Sequence, residues 1–388
     1  MPDNNSNQAH ARKQIDFIFE DCAMKIGNII SYLEAVANPV YQENYDNTGL
    51  LTGNNESACS GVLITLDATE PVIHEAIEKK CNLIVAHHPI IFGGLKKINT
   101  ENYVGRSIIT AIKNDIAIYA IHTNLDNTLH GVNGKIADLL GLINRAWLAP
   151  KEATLKKIFT FVPVAYAEDV RNAFFHAGAG HIGNYTEASF NGEGVGTFKA
   201  GQGTNPFVGD KGARHYEKEV KVEVIFPAYL EATIVNALKK AHPYEEVAYD
   251  IIELTNFHPS IGSGLIGKFP EPMDEKAFLD TIKRIFHVPI IRHTRLNKRP
   301  VEKVALCGGA GSFLIPKALA LEADFYITSD IKYHEFFDAN DRLVIADIGH
   351  FESEQFTIDL LHDILREKFP NFAVLKSGKR TNPVNYYF

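Results

Sequence analysis

The sequence predicts an α/β protein with a smaller α+β domain inserted into it. Three observations carry that expectation. Short apolar runs bounded by turn residues alternate with helical patterns near both ends of the chain. The middle changes to a strand–helix–strands–helix–strand rhythm, the order of a ferredoxin-like split βαβ unit. The last third then returns to the first rhythm. The expected organisation is therefore an extension over 1–23, a first α/β lobe over 24–154, an insert over 155–257, and a second lobe over 258–388 completing the first.

The elements follow in order. Residues 1–9 are polar and are expected to be disordered. From Met24 a helical pattern starts, with Ile26, Ile29, Ile30, Leu33 and Val36 on one face. Residues 61–67, 82–86 and 116–121 read as buried strands, and 71–80, 104–113 and 133–140 as helices. Pro71 suits a helix start. This alternation implies βαβ units and a largely parallel sheet. In the insert, 157–164, 220–227 and 247–254 read as strands, and 168–177 and 230–241 as helices. Short glycine-rich strands are expected around 185–198, with 192–212 as a long exposed loop. In the last lobe, 277–286 is a helix, 304–307 a strand, then Gly308-Gly-Ala-Gly311 and a helix through 321. Strands 325–328 and 343–346 follow. The final helix, 354–368, is amphipathic through Phe356, Ile358, Leu361, Ile364 and Leu365.

Bulk properties exclude several classes. Of 388 residues 45% are apolar and 22% charged, ordinary for a soluble protein with a large core. A net charge of -8 argues against strong non-specific nucleic-acid binding, which needs a dense basic surface. Four scattered cysteines form no C-x-x-C pair, which points away from structural zinc and toward reduced thiols in the cytoplasm. No apolar run approaches the ~20 residues of a membrane span, and the start has no secretory apolar core.

Chemistry gathers where buried strands end, as it does beyond the carboxyl ends of strands in α/β sheets. The strand 82–86 runs into His87-His88-Pro89. Successive strand residues point to opposite sides, so the two rings are expected to serve two neighbouring ions rather than one. The plain alternative is a pair of polar turn residues. The strand 116–121 runs into His122-Thr-Asn-Leu-Asp126, where Asp126 is a candidate carboxylate ligand or a turn cap. The strand 343–346 runs into Asp347-Ile-Gly-His350-Phe-Glu-Ser-Glu354. His350 and Glu354 are four apart, one helical face, whereas Glu352 points elsewhere. Each segment alone has a bland reading. Together, His87, His88, Asp126, His350 and Glu354 form an imidazole–carboxylate set typical of zinc, iron or manganese, too large for one structural zinc and suited to two ions.

Other residues border the same crevice. Asp46-Asn-Thr-Gly49 reads first as a turn, but Asp46 suits a partner to a histidine, and Asp67 carries the same ambiguity. Asp330, Lys332 and His334 follow the strand 325–328 and are candidates for substrate contact or proton transfer. Gly308-Gly-Ala-Gly311 lacks a Walker lysine, so close backbone packing is preferred over a phosphate cradle. His242-Pro-Tyr-Glu-Glu246 reads as a turn rather than a cation site.

Ala86-His-His-Pro-Ile-Ile-Phe92, His122-Thr-Asn-Leu-Asp126, Thr328-Ser-Asp-Ile-Lys-Tyr-His334 and Gly349-His-Phe-Glu-Ser-Glu354 together resemble the NIF-three-like family. Its members are also named as homologues of GTP cyclohydrolase I type 2. The resemblance runs from about Met24 to Phe388 and includes Asp46-Asn-Thr-Gly49 and Gly180-His-Ile-Gly-Asn-Tyr185. It implies two divalent ions inside a ring-shaped homo-oligomer, usually a hexamer. It also implies that His88, Asp126 and Glu354 hold one ion, and His87, His350 and Glu354 the other, with Glu354 bridging. The insert is implied to be similar to small trimeric signalling and copper-tolerance proteins of the PII/CutA kind.

The expected function is a metal-dependent hydrolase on a small nucleotide-like or phosphorylated compound, with His334 or His122 moving protons and Lys332 meeting an anionic group. Metal trafficking or sensing without turnover is the main alternative, and an oligomeric scaffold with structural metals a third. Fold alone does not choose among them.

Overall fold

The computed structural model describes residues 24–387. The expectations for 1–9 and 1–23 lie outside the described residues. The chain divides into two compact units, one of residues up to 148 and from 264 onward, the other of residues 149–263.

In chain order the first unit opens with strands β1 (Gly49–Thr52), β2 (Val62–Asp67), β3 (Leu83–His88), β4 (Ala117–Ala120) and β5 (Ile143–Pro150). The second unit contributes β6 (Leu155–Pro163), β7 (Ser189–Lys199), β8 (Arg214–Pro227) and β9 (Tyr249–Glu253). The chain returns to the first unit with β10 (Gly262–Met273), β11 (Arg292–His293), β12 (Val301–Ala310), β13 (Phe325–Ser329), β14 (Val344–Asp347) and β15 (Val374–Lys376).

Two sheets organise the first unit, in the orders β1-β4-β3-β2-β15 and β11-β14-β13-β12-β10-β5. Strands β4, β3, β2 and β15 run parallel, as do β12, β13 and β14. The largely parallel sheet expected from the sequence thus becomes two sheets with antiparallel edges, because β1, β10 and β11 pair antiparallel. Continuous apolar runs in β2 and β3 reflect cover on both faces. Val62, Ile64, Leu83 and Val85 enter one core with Val304, Phe325, Val344, Leu361 and Leu365, so both lobes share it. Leu63, Ile84 and Ala86 enter a second cluster with Val72, Ile73, Ile108 and Ala111, from helices Glu70–Glu78 and Tyr103–Lys113. Asn102 caps the latter helix, its side chain accepting from the Gly105 amide at 2.8 Å.

The insert is a four-stranded antiparallel sheet in the order β7-β8-β6-β9, with helices Ala167–His176 and Glu231–Ala241 between its strands. Their apolar residues Val170, Phe174, Ile234 and Leu238 share a core with Ile158, Val162, Val222 and Val224. This is the ferredoxin-like order. One expectation fails here: 192–199 is strand rather than loop. Residues 189–199 pair with β8 along their full length, and that ladder overrides the low strand propensity of Gly192, Gly194 and Gly196. In the last lobe β12 extends through Ala310, and the helix expected after Gly311 begins only at Ile315, after one tight turn at Ser312–Leu314. Cys59, Cys81 and Cys307 are free and buried, while Cys22 lies outside the described residues. No helix among the described residues is long and apolar enough to cross a membrane.

Candidate metal centre

Neighbouring strand ends assemble the centre. Asp67 ends β2 and His88 ends β3, and the two are register partners. His122 follows β4 and leads into a single turn, Thr123–Asp126. His350 and Glu354 are the first and last residues of the helix His350–Glu354, which follows β14. Their spacing of four brings His350 Nε2 to 3.1 Å from a Glu354 carboxylate oxygen. The rings of His87 and His88 lie 4.9 Å apart, and His122 lies 5.3 and 5.4 Å from them. Ligand atoms of His87, His88 and His122 fall within 4.8 Å of one another, as do those of His88, His350 and Glu354. Strand alternation alone separates His87 from His88. At the end of β3 the two rings nevertheless lie side by side, with ligand atoms within 4.8 Å of each other.

All four rings are oriented in the same way. Nδ1–H of His87 donates to the Ile121 carbonyl at 2.9 Å. Nδ1–H of His88 donates to Asp67 at 2.8 Å, of His122 to Asp46 at 2.8 Å, and of His350 to Asp330 at 2.7 Å. Every Nε2 is therefore left for the site. Histidines that bind metal show this pattern, with the distal N–H held by a carboxylate or carbonyl. Asp46 is held in turn by the amides of Asn47 and Thr123 and by the Thr123 hydroxyl.

The residues fit a cation. His87 is fully buried, and its Nε2 has no hydrogen-bond partner, nor does Asp126 Oδ1. These atoms lie 3.7 Å apart, and His87 Nε2 is 3.8 Å from Glu354 Oε1. That is too long for a hydrogen bond and close to the separation of two ligands on one ion. Leaving such buried polar atoms unpaired is costly, and a divalent cation removes the cost. On the other side, His88 Nε2 is 2.9 Å from Glu354 Oε2, and the Nε2 atoms of His88 and His350 are 3.4 Å apart. The geometry groups His87 with Asp126, and His88 with His350, about the two oxygens of Glu354. The resemblance implies the other division, with His88 beside Asp126 and His87 beside His350. In this fold each Nε2 direction is set by the partner of Nδ1, a matter of tertiary contact.

Electrostatics follow from crowding. Burial raises Asp126 well above the usual carboxylate range, and the charge of Glu354 adds to it. Burial also opposes ionisation of Glu354, but the positive charge of His350 and hydrogen bonds from the histidines hold it well below that range. For His350, the charge of Glu354 outweighs burial and lifts it to about 11. Burial lowers His88, yet its bonds to Asp67 and Glu354 prevail and raise it to about 10. Burial, helped by the charges of His88 and His122, pushes His87 down against the pull of Glu354. Asp46 is drawn to about 2, because the His122 hydrogen bond and charge overcome its burial.

Other expected residues fall differently. Lys332 and His334 are exposed, on and beside the turn Tyr333–Ala339. His334 stacks on Phe337 at 6.3 Å, and the hydrogen bonds of the centre run to neither residue. Of His334, His122 and Lys332, expected to move protons or meet an anion, only His122 joins the ring cluster. Asp330 orients His350 rather than facing open space. Glu352 does point away, accepting from Asn382 at 2.8 Å. His242 holds its turn, bonded to the Phe161 carbonyl and the Tyr244 amide. Sequence reading did not single out Thr381 or Asn382, which are distant in the chain and carry no pattern.

The Gly308-Gly-Ala-Gly311 run serves close packing. Gly309 has φ +65°, and a Cβ there would lie 2.3 Å from Glu354 Oε1. Its amide donates to the Ser353 hydroxyl oxygen at 2.9 Å. Gly309→Ala is expected to displace the Glu354 carboxylate, lowering metal content in mass spectrometry. It is also expected to cost roughly 1–3 kcal/mol from the left-handed backbone, read by denaturant unfolding. Full metal content in this variant means the close approach does not matter.

An α/β scaffold that gathers four oriented imidazoles, the buried Glu354 and the half-buried Asp126 at its strand ends defines the class: a protein with a candidate metal centre. The chain belongs to the Duf34/NIF3 (NGG1p interacting factor 3) family, whose model matches residues 24–383. It is 41% identical over 371 residues to a Halalkalibacterium halodurans protein named GTP cyclohydrolase 1 type 2 homolog, covering 94% of this chain and 100% of that one. A Bacillus subtilis protein of the same name is 41% identical over 363 residues, 92% of this chain and 97% of its own. The crystal structure of a Bacillus cereus protein related to NIF3 superposes with a TM-score of 0.81 at 39% identity, covering 94% of this chain and 99% of that one.

Proposed function

We propose that this protein is a metal-dependent hydrolase that holds two divalent ions, zinc, iron or manganese, and acts on a small nucleotide-like or phosphorylated substrate. The single observation that carries the metal reading is the set of four histidines whose Nδ1 hydrogens are all committed to oxygen, leaving four Nε2 atoms for the site, those of His87, His88 and His350 about Glu354. Bound divalent ions would supply Lewis-acid charge against a carbonyl or phosphoryl oxygen and make water more acidic. His87 and Asp126 would hold one ion, His88 and His350 the other, with Glu354 shared. His122, fixed by Asp46 beside the cluster, would carry a proton. His334 and Lys332 are assigned the outer roles of proton carrier and anion contact.

An aromatic pair supports a planar, nucleotide-like group. Tyr45 and Phe92 are exposed, with rings 6.2 Å apart, and Phe92 lies 6.1 Å from His122. Asn47 donates to the Ile91 carbonyl at 2.6 Å and ties the two loops together. Exposed rings beside a reactive centre offer a face on which a base can stack. The reading includes a cytoplasmic homo-oligomer, a hexamer, which light scattering after size exclusion would check.

Metal per chain, measured by mass spectrometry on untagged protein purified without chelators, tests the reading. About two ions in the wild type and a clear loss in His87→Ala are expected, followed by turnover in a phosphoester and nucleotide screen with the metal found. Two ions without turnover would favour trafficking or sensing. Near-zero metal that zinc, iron or manganese fails to restore would sink the reading.

A further inference from the structure

We propose that the carboxyl-terminal tail, residues 377–382, is a working part of the metal centre, with Thr381 a positioning residue that sets His88 through Asp67. The proposal rests on the metal-binding reading above and extends it to a segment remote in sequence from every candidate ligand except His350 and Glu354.

The tail begins where β15 ends, beside β2. Its root is fixed first. The Ser377 amide donates to the Ile64 carbonyl at 2.8 Å. The Ser377 hydroxyl and the Gly378 amide donate to the two carboxylate oxygens of Glu75 at 2.5 and 2.9 Å. Glu75 is only 5% exposed, on the helix Glu70–Glu78. A glutamate is rarely so buried unless paired. This one is paired with Lys79 Nζ at 2.7 Å and with the tail.

With its root held, the tail reaches both halves of the centre. The Thr381 hydroxyl donates to Asp67 Oδ2 at 2.5 Å, while Asp67 Oδ1 takes the Nδ1–H of His88 at 2.8 Å. His88 Nε2 is thereby aimed at Glu354 Oε2, 2.9 Å away. One residue further, Asn382 Nδ2 donates to Glu352 Oε1 at 2.8 Å. Glu352 sits on the same short helix as His350 and Glu354 and faces the other way. Thr381 thus steadies the β2–β3 side and Asn382 the β14 side. A carboxylate turns about a soft torsion, so one hydrogen bond alone directs Asp67 poorly. The second, from Thr381, fixes the plane in which His88 is held. Asp67 retains 34% exposure, so water replaces part of a lost hydroxyl and the effect is graded rather than total.

Full-length wild type, Thr381→Val and Thr381→Ser would be titrated with cobalt(II) against a chromophoric chelator, recording the visible absorption of bound cobalt and the melting temperature of the metal-free chain. Valine keeps the shape and removes the donor, while serine keeps the donor. Thr381→Val is expected to bind cobalt about 10-fold more weakly, the lower end for loss of an outer partner of a metal ligand. Its cobalt spectrum is expected to change while its metal-free melting temperature does not, and serine is expected to restore affinity and spectrum. A valine variant with wild-type affinity and spectrum overturns the proposal. So does a loss that serine fails to rescue. A wild type that binds no cobalt removes the metal reading itself, and this inference with it.

Discussion

Glu354→Ala is expected to empty the centre of metal and to abolish any activity that depends on it. Glu354 is 2% exposed, and its two oxygens face different partners: Oε1 lies 3.8 Å from His87 Nε2, and Oε2 lies 2.9 and 3.1 Å from the Nε2 atoms of His88 and His350. Among the described residues no other carboxylate is within such reach of all three rings. The same change acts on the metal-free chain. Two imidazoliums whose Nε2 atoms are 3.4 Å apart lose the charge between them. Removing one partner from a buried ionic group costs about 3 kcal/mol or more. Metal content by mass spectrometry and urea unfolding in chelator check the two effects separately. Glu354→Gln, which keeps the volume, is expected to lose metal as well. Either variant retaining two ions per chain would mean that Glu354 is not the shared ligand.

Stripped of metal, the chain is expected to be most stable near pH 5–6 and to weaken as pH rises toward 10. His350 is lifted to about 11, chiefly by the charge of Glu354, and His88 to about 10 by Asp67 and Glu354 against its burial. Unfolded, both titrate near 6.5. Between these values the folded chain holds more protons than the unfolded one. The stabilisation is therefore complete below about pH 6.5 and is lost as pH rises through the folded values. Asp46 gives the opposite limb: drawn to about 2, it stabilises above its unfolded value and ceases to as pH falls through 2. The His350 side chain is 39% exposed, so solvent screening reduces the alkaline loss to roughly 2 kcal/mol between pH 6 and 9.5. Metal affinity runs the other way, because those Nε2 protons must leave before a cation binds, so it rises with pH. Urea midpoints from pH 5 to 10 at fixed ionic strength, with and without chelator, measure both. A chelated chain whose stability rises toward pH 9 would contradict the charged histidine pair.

The sequence by itself determined the strands and the chemistry at their ends. Apolar runs such as 82–86 and 116–121 show a buried strand, and the abrupt change to His87-His88 and His122 shows where it leaves the core. The spacing of His350 and Glu354 placed both on one helical face. Asp46 and Asp67 were legible only as ambiguous neighbours. Local periodicity reports on residues a few positions apart, and each of these features is local. Tertiary structure alone decided that Nδ1 of His87 meets Ile121 while that of His88 meets Asp67, and so which imidazole shares which oxygen of Glu354, a contact spanning 266 positions. It also decided that Gly192, Gly194 and Gly196 lie in a strand, since β8 supplies the ladder their own propensity does not. Gly309 lies against Glu354, and the tail returns to Asp67, for the same reason. Which strand ends abut depends on how two sheets bury one common core, and no pattern along the chain encodes that packing.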